Sequence, residues 1–220
     1  MSETGLRAIS ALGIGAMIAV AWTFSSQRRR FPWRVVAWGI GLQLLLGGLL
    51  LRTPAGRHFF VAVNAGVLRV LSFTDEGTRF VFGSLAQGGF SFALQVLPIL
   101  IFVGSGIGIL YHLGLVQRLV GVLAVALSRT LGTSGAESLA AVANVFVGMT
   151  EAPLLVRPYI EQMTRSELFT VMVTGMATIA GSVLVAYARM LGEAEYAGHL
   201  VVASLLSASA AILIAKVMVP

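Results

Sequence analysis

GAESLAAVANVFVGMTEAPLLVRPYIEQM, residues 135–163, is the stretch on which the fold turns. An apolar helix over 136–147 would be roughly 18 Å long at 1.5 Å per residue, too short to cross a bilayer. Gly148 is a natural helix stop, Thr150 a plausible N-cap for a second helix, and Pro153 suits that helix's first turn, with the end near Pro158. Upstream, Gly132, Thr133, Ser134 and Gly135 break the chain, and Ser134 followed by Glu137 reads as a capping box. Two half-length helices joined by a polar elbow predict a re-entrant hairpin over 134–163. Irregular backbone at membrane depth is tolerated only where protein buries it or a wet cavity receives it, so the elbow is a candidate binding site.

Glu151 sits at that elbow. An ionisable side chain at membrane depth costs at least ~2.5 kcal/mol on insertion scales and persists with a partner or a function. Asn144 lies two helical turns earlier on the same face, with Gly148 between them allowing close approach to the backbone. The plain packing alternatives are that Asn144 bridges helices and that Glu151 caps a helix N-terminus. For Glu151 binding is the better reading; for Asn144 the two stand level.

Outward from the hairpin the chain is apolar: 57% of its 220 residues are hydrophobic and 11% charged. A water-soluble domain of this size could not hide so much apolar surface, so the lipid bilayer is the solvent. Runs at 8–26, 35–51, 90–111, 168–188 and 200–219 approach or reach the ~20 residues of a crossing. The first is kept as a mature helix, because Arg28, Arg29 and Arg30 follow it instead of preceding it and no small-residue cleavage pattern closes it. Residues 56–71 mix apolar side chains with Arg57, His58, Asn64 and Arg69, which suits a helix lying in the interface, with a turn at 75–77. Residues 115–131 read as a second interfacial or strongly tilted helix. The fold class is therefore all-α integral membrane, with about five transmembrane helices, one or two interfacial helices and one hairpin. Residues 1–131 read as a scaffold-type region with three crossings, and 132–220 as the hairpin plus helices over 167–189 and 198–219.

The net charge of +6 is spread through short connections, where it sets orientation and argues for no nucleic-acid partner. Placing Arg28–Arg30 and Arg34 in the cytoplasm brings Arg118, Arg129, Arg157, Arg165 and Lys216 inside as well, against Arg52, Arg57, Arg69 and Arg79 outside; Asp75, Glu76, Glu193 and Glu195 weigh little. This is the pattern of an inner-membrane protein. The absence of cysteine excludes disulfides and thiolate sites in these residues, and His58, His112 and His199 share no ligand spacing. No acid, base and nucleophile group together, which argues against an enzyme. Farther on, Gly175, Thr178 and Ser182 form a small, weakly polar stripe with Gly181 beside it. A close helix contact explains it; a hard cation held by Thr178 and carbonyls loosened near Gly181 is the alternative.

The segments EGTRFVFGSL at 76–85, QVLPILIF at 95–102, GTSGAES to MTRSEL over 132–168, and TGMATIAGSVLVAY at 174–187 resemble those of concentrative nucleoside transporters. The resemblance covers nearly the whole chain and is weakest in the first two crossings. It implies a homotrimer whose protomers each combine a scaffold with a moving transport domain that holds two such hairpins, of which this chain supplies the first; the second half of that fold is not in these residues. By resemblance, Gly148, Thr150 and Glu151 approach the nucleobase of a nucleoside substrate, and Val183 makes an apolar contact to it. Met149 stands where the best-known pattern has glutamine, so a thioether replaces an amide there. Asn144 and Thr178 are implied side-chain ligands of a coupling sodium ion, with the carbonyls of Val147 and Ile179; Thr178 replaces a serine, and proton-coupled relatives exist. The function implied is secondary active nucleoside import, the alternative being a fragment or a non-transporting membrane scaffold.

Overall fold

The computed structural model describes residues 3–87, 91–191 and 195–220. Among them are eleven α-helices and no strand: α1 (Glu3–Thr23), α2 (Trp33–Arg52), α3 (Pro54–Phe82), α4 (Phe92–Gln95), α5 (Leu97–His112), α6 (Leu115–Leu131), α7 (Gly135–Phe146), α8 (Ala152–Leu155), α9 (Arg165–Ala177), α10 (Gly181–Met190) and α11 (Glu195–Met218). Short 3-10 turns follow at Gly83–Gln87 and Arg157–Gln162. Glu193, weighed above for orientation, and the side chain of Glu195 lie outside the described residues, as does Phe90 at the start of the third apolar run.

Four segments are long and apolar enough to cross a membrane: Trp33–Arg52, Phe92–His112, Arg165–Met190 and Tyr196–Met218; the first expected crossing is represented by the shorter apolar stretch Ile9–Thr23 within α1. Their surroundings differ. Only 11% of the apolar window is buried in α2 and in the α5 segment, against 50% in α11, so α2 and α5 turn most of their surface outward while α11 is the central post. It packs against α1, α2, α3, α7, α9 and α10. Ile212 of α11 is fully buried against Leu131 and Ala141, and Leu213 and Val217 pack with Ala21 and Val36. Outward aromatic and aliphatic side chains such as Phe80, Ile101 and Val122 are what a lipid-facing surface requires.

Two expectations are corrected. The interfacial helix does not end before a turn at 75–77: α3 runs unbroken through these residues to Phe82. Asp75, Glu76 and Gly77 look like a turn locally, but Asp75 faces inward and pairs with Arg189 of α10 at 3.1 Å, while Thr74 and Thr78 are buried on the same side. A tertiary partner overrides the local signal. The crossing expected over 167–189 is not one helix: it is α9 and α10, separated by extended backbone at Thr178 and Ala180. No proline marks the break; the β-branched pair Thr178 and Ile179 followed by Gly181 weakens the helix, and the Ser204 hydroxyl of α11 donates to the Ile179 carbonyl at 3.3 Å.

At one end of the bundle the basic connections gather. Ser26 N–H, beside the Arg28–Arg30 cluster, bonds the Met218 carbonyl at 2.8 Å, Arg34 lies against Gly132, and Lys216 reaches Ser166. Because α11 is the packing centre, Ile212→Ala should open a cavity costing about 2–5 kcal/mol and lower the thermal midpoint in detergent. Phe80→Ala, on the outward face, should leave that midpoint almost unchanged.

Candidate functional site

The hairpin is built from its first residue. Ser134 accepts from Glu137 N–H at 3.3 Å and its own N–H donates to Glu137 Oε1 at 2.6 Å, closing the expected capping box. From there α7 runs to Phe146, with Val147 as its C-cap. Gly148 then takes φ +106, a region that L side chains rarely adopt, and a Cβ there would meet that of Ala180 at 3.0 Å. The chain reverses: Ala152 packs beside Val142 and Ala143, and Val156 beside Ala140. The return arm is less helical than expected, a single α-turn and then a 3-10 turn containing Pro158. Thr150 does not cap it. Its hydroxyl donates to Glu151 Oε2 at 2.7 Å, and Glu151 itself occupies the N-cap position without a capping bond. The neighbouring carboxylate is the stronger acceptor for that hydroxyl.

The reversal parts residues that a continuous helix would have aligned. Asn144 is fully buried, and neither its Oδ1 nor its Nδ2 has a hydrogen-bond partner. It points at α9, where a Cβ on Gly175 would lie 3.8 Å from Nδ2 and 3.9 Å from Oδ1. Glu151 is exposed on the other side of the elbow, in a cavity of about 370 Å³ whose walls include Tyr111 and Ile107 of α5, Val147, Leu154 and Ser182. Met149 lies on the α9 side, as Asn144 does. It is 63% exposed, against Gly175, in a methionine-rich groove with Met163, Met172 and Met176.

The breaks in the two helices meet. A Cβ on Gly181 would lie 3.1 Å from the Phe146 carbonyl oxygen, so glycine is what lets the start of α10 rest on the end of α7. The ends of α7 and α9 therefore converge on one region, each bringing carbonyls that lack intrahelical partners and the negative end of its dipole. Thr178, C-cap of α9, donates its proton to the Thr174 carbonyl at 2.8 Å and keeps oxygen lone pairs free. Asn144, in the last turn of α7, faces Gly175 in the last turn of α9; Val147 follows α7, Thr178 and Ile179 follow α9, and Gly148 lies against Ala180. Val183, in α10, is partly buried one residue beyond Ser182.

The sequence reading missed the contribution of α5. Gly104, Gly108 and Tyr111 recur at four- and three-residue spacing and form one face of the Glu151 cavity. That spacing was the available signal. Among the described residues no group of three or more His, Asp or Glu side chains is arranged to hold a metal ion.

Residues 12–85 match the family described as Na+ dependent nucleoside transporter N-terminus, and residues 93–194 match that described as Nucleoside recognition. The chain is 41% identical to nucleoside permease NupC of Helicobacter pylori, over 96% of this chain and 52% of that protein. It is 44% identical to sodium/nucleoside cotransporter 2 of Rattus norvegicus, over 96% of this chain and 32% of that protein. The solved structure of CNTnw in an inward-facing substrate-bound state superposes with a TM-score of 0.89 at 42% identity, covering 96% of this chain and 52% of that one. The chain spans about half the length of the bacterial relatives it matches.

The orphaned amide yields a test. Burying unsatisfied polar groups costs about 1–3 kcal/mol each, so Asn144→Leu, close in shape and apolar, should raise the thermal midpoint measured in detergent without added ligand. A lowered midpoint would mean that the amide already has a partner.

Proposed function

Because this multi-pass membrane chain belongs to the concentrative nucleoside transporter family, we propose that it supplies the cation site and the base-binding part of a secondary active nucleoside importer of the cell membrane. The observation that carries this reading is the buried, unpartnered Asn144 amide at the meeting point of two helix C-termini. Such a group is costly to keep unless a ligand completes it.

The donor set fits sodium. Asn144 Oδ1, Thr178 Oγ1 and the carbonyls of Val147 and Ile179 are hard, neutral oxygens, and with no carboxylate among them a monovalent ion suits better than a divalent one. The Ile179 carbonyl already accepts from Ser204 and has a second lone pair to offer. A proton could not use four such oxygens together, which favours sodium over proton coupling.

On the other face of the elbow, Glu151 takes one hydrogen bond from Thr150 and leaves Oε1 able to accept from the N–H edge of a base. Gly148 allows close approach, Val183 and Met149 provide apolar contact, and the cavity beside Glu151 offers an aromatic wall in Tyr111. Val147 joins the two ligands: its side chain lines the Glu151 cavity while its carbonyl belongs to the cation set. Ion binding would order the elbow that substrate also needs, and each ligand then raises the other's affinity by the same factor. The re-entrant hairpin would move against a scaffold, in a homotrimer whose contacts involve the outward apolar faces.

In the full-length transporter, Glu151→Gln should cut nucleoside uptake into vesicles by at least about tenfold, as expected when a charged hydrogen-bond acceptor for the base is replaced by a neutral amide, with assembly intact. Uptake at the wild-type rate would remove Glu151 from the site.

A further inference from the structure

The far ends of α7 and α9 are held by buried charge. Glu137, 1% exposed, uses Oε1 in the capping box and places Oε2 2.7 Å from Lys216 Nζ. Lys216, in the last turn of α11, also donates to Ser166 Oγ at 3.0 Å, and Ser166 in turn donates to the Val219 carbonyl at 2.6 Å. Ser166 belongs to the first turn of α9. One ammonium therefore grips the start of α7 and the start of α9 from a third helix. Glu167 closes the capping box of α9, its carboxylate accepting from the Thr164 N–H and hydroxyl at 2.7 and 2.9 Å.

We propose that Lys216 is a positioning residue that sets the axial register of α7 against α9 and thereby the geometry of the oxygens around Asn144 and Thr178. The proposal rests on the cation-site reading above. Its physical basis is that the two helices run side by side in the same direction. Lys216 joins Glu137 of α7 to Ser166 of α9 at one end, and Asn144 meets Gly175 at the other. Helices of 12 and 13 residues span about 18 and 20 Å at the standard rise, so a shift at the Lys216 end arrives undiminished at the site.

The contact between the helices does little to resist such a shift. Ala140 of α7 is fully buried against Val171 of α9, and Asn144 lies against Gly175, so small side chains stand on each side of the contact. Thr170 and Thr174 of α9, equally buried, spend their hydroxyls on α9's own carbonyls. Small, smooth surfaces let helices approach closely but interlock weakly along their axes. A buried ion pair adds little net stability over a well-packed apolar pair, and register is its best-attested use. A cation site tolerates only about 0.2 Å in ligand distance, so the register of its two carriers matters directly.

The test uses the full-length transporter in vesicles and reads the sodium concentration for half-maximal nucleoside uptake separately from the maximal rate. Removing both charges with Glu137→Gln and Lys216→Met avoids an unpaired buried charge. It should leave assembly and maximal rate near wild type while raising the sodium requirement at least about tenfold, the usual effect of losing a group that orients metal ligands. Lys216→Arg, which still reaches both partners, should stay within about twofold. A wild-type sodium requirement in the double variant overturns the proposal. If that variant does not fold, Ser166→Ala decides alone, because it removes only the arm to α9: a rise of about threefold or more supports the proposal, and no change overturns it. Asn144→Leu is the companion control. Loss of its sodium dependence keeps the cation site whatever Lys216 does, whereas intact sodium dependence removes the site and this proposal with it.

Discussion

A helix that ends at membrane depth leaves carbonyl and N–H groups with neither helix nor water to satisfy them, and the organisation of this protein follows from how that deficit is met. It is incurred twice, after Phe146 and after Ala177. Bringing the two breaks together lets each serve the other. Gly181 rests on the Phe146 carbonyl, Gly148 sits against Ala180, and α11 contributes the Ser204 hydroxyl to Ile179. Among the described side chains near the breaks, the buried polar atoms left without a partner are those of Asn144.

This explains why α11 is the most enclosed of the long apolar helices. It runs past both ends of α7 and α9, supplying a hydroxyl near the breaks and an ammonium near the capping boxes. Its middle is filled by Ile212 against Leu131 and Ala141, so the polar contacts at its ends are fixed relative to one another by a packed apolar segment. α2 and α5, by contrast, turn most of their surface to the surroundings, and α5 reaches the site only through Tyr111 and the small residues beside it.

What could be read from the sequence was what local chemistry determines. The Ser134 to Glu137 capping box, the helix stop at Gly148 and the shortness of 136–147 follow from side chains a few residues apart, and each is present. The features that escaped depend on partners far away in the chain. The α9–α10 break carries no proline and needs α7 and Ser204 to stabilise it. The continuation of α3 past 75–77 needs Arg189, 114 residues distant. Lys216 reads as an orienting surface charge until Glu137 is found 2.7 Å away. For the elbow, the types of residue were legible but their directions were not, because the chain reverses at Gly148 and leaves Asn144 and Met149 against Gly175 while Glu151 lines a separate cavity.

That divergence has a mechanical meaning. If Asn144 and Glu151 shared one face, cation and nucleoside would compete for space and their charges would interact directly. Here they lie on opposite sides of a short piece of backbone, from Val147 to Thr150, that borders both. Under the roles proposed for them, any coupling would pass through the conformation of that piece, whose pivot Gly148 holds a φ of +106. On that proposal, ligands that never touch would each stabilise the backbone arrangement the other requires. Rigidity elsewhere is the condition for this to work. In the proposed scheme, fixing the register of α7 and α9 at the Lys216 end confines the freedom left in the hairpin to its elbow.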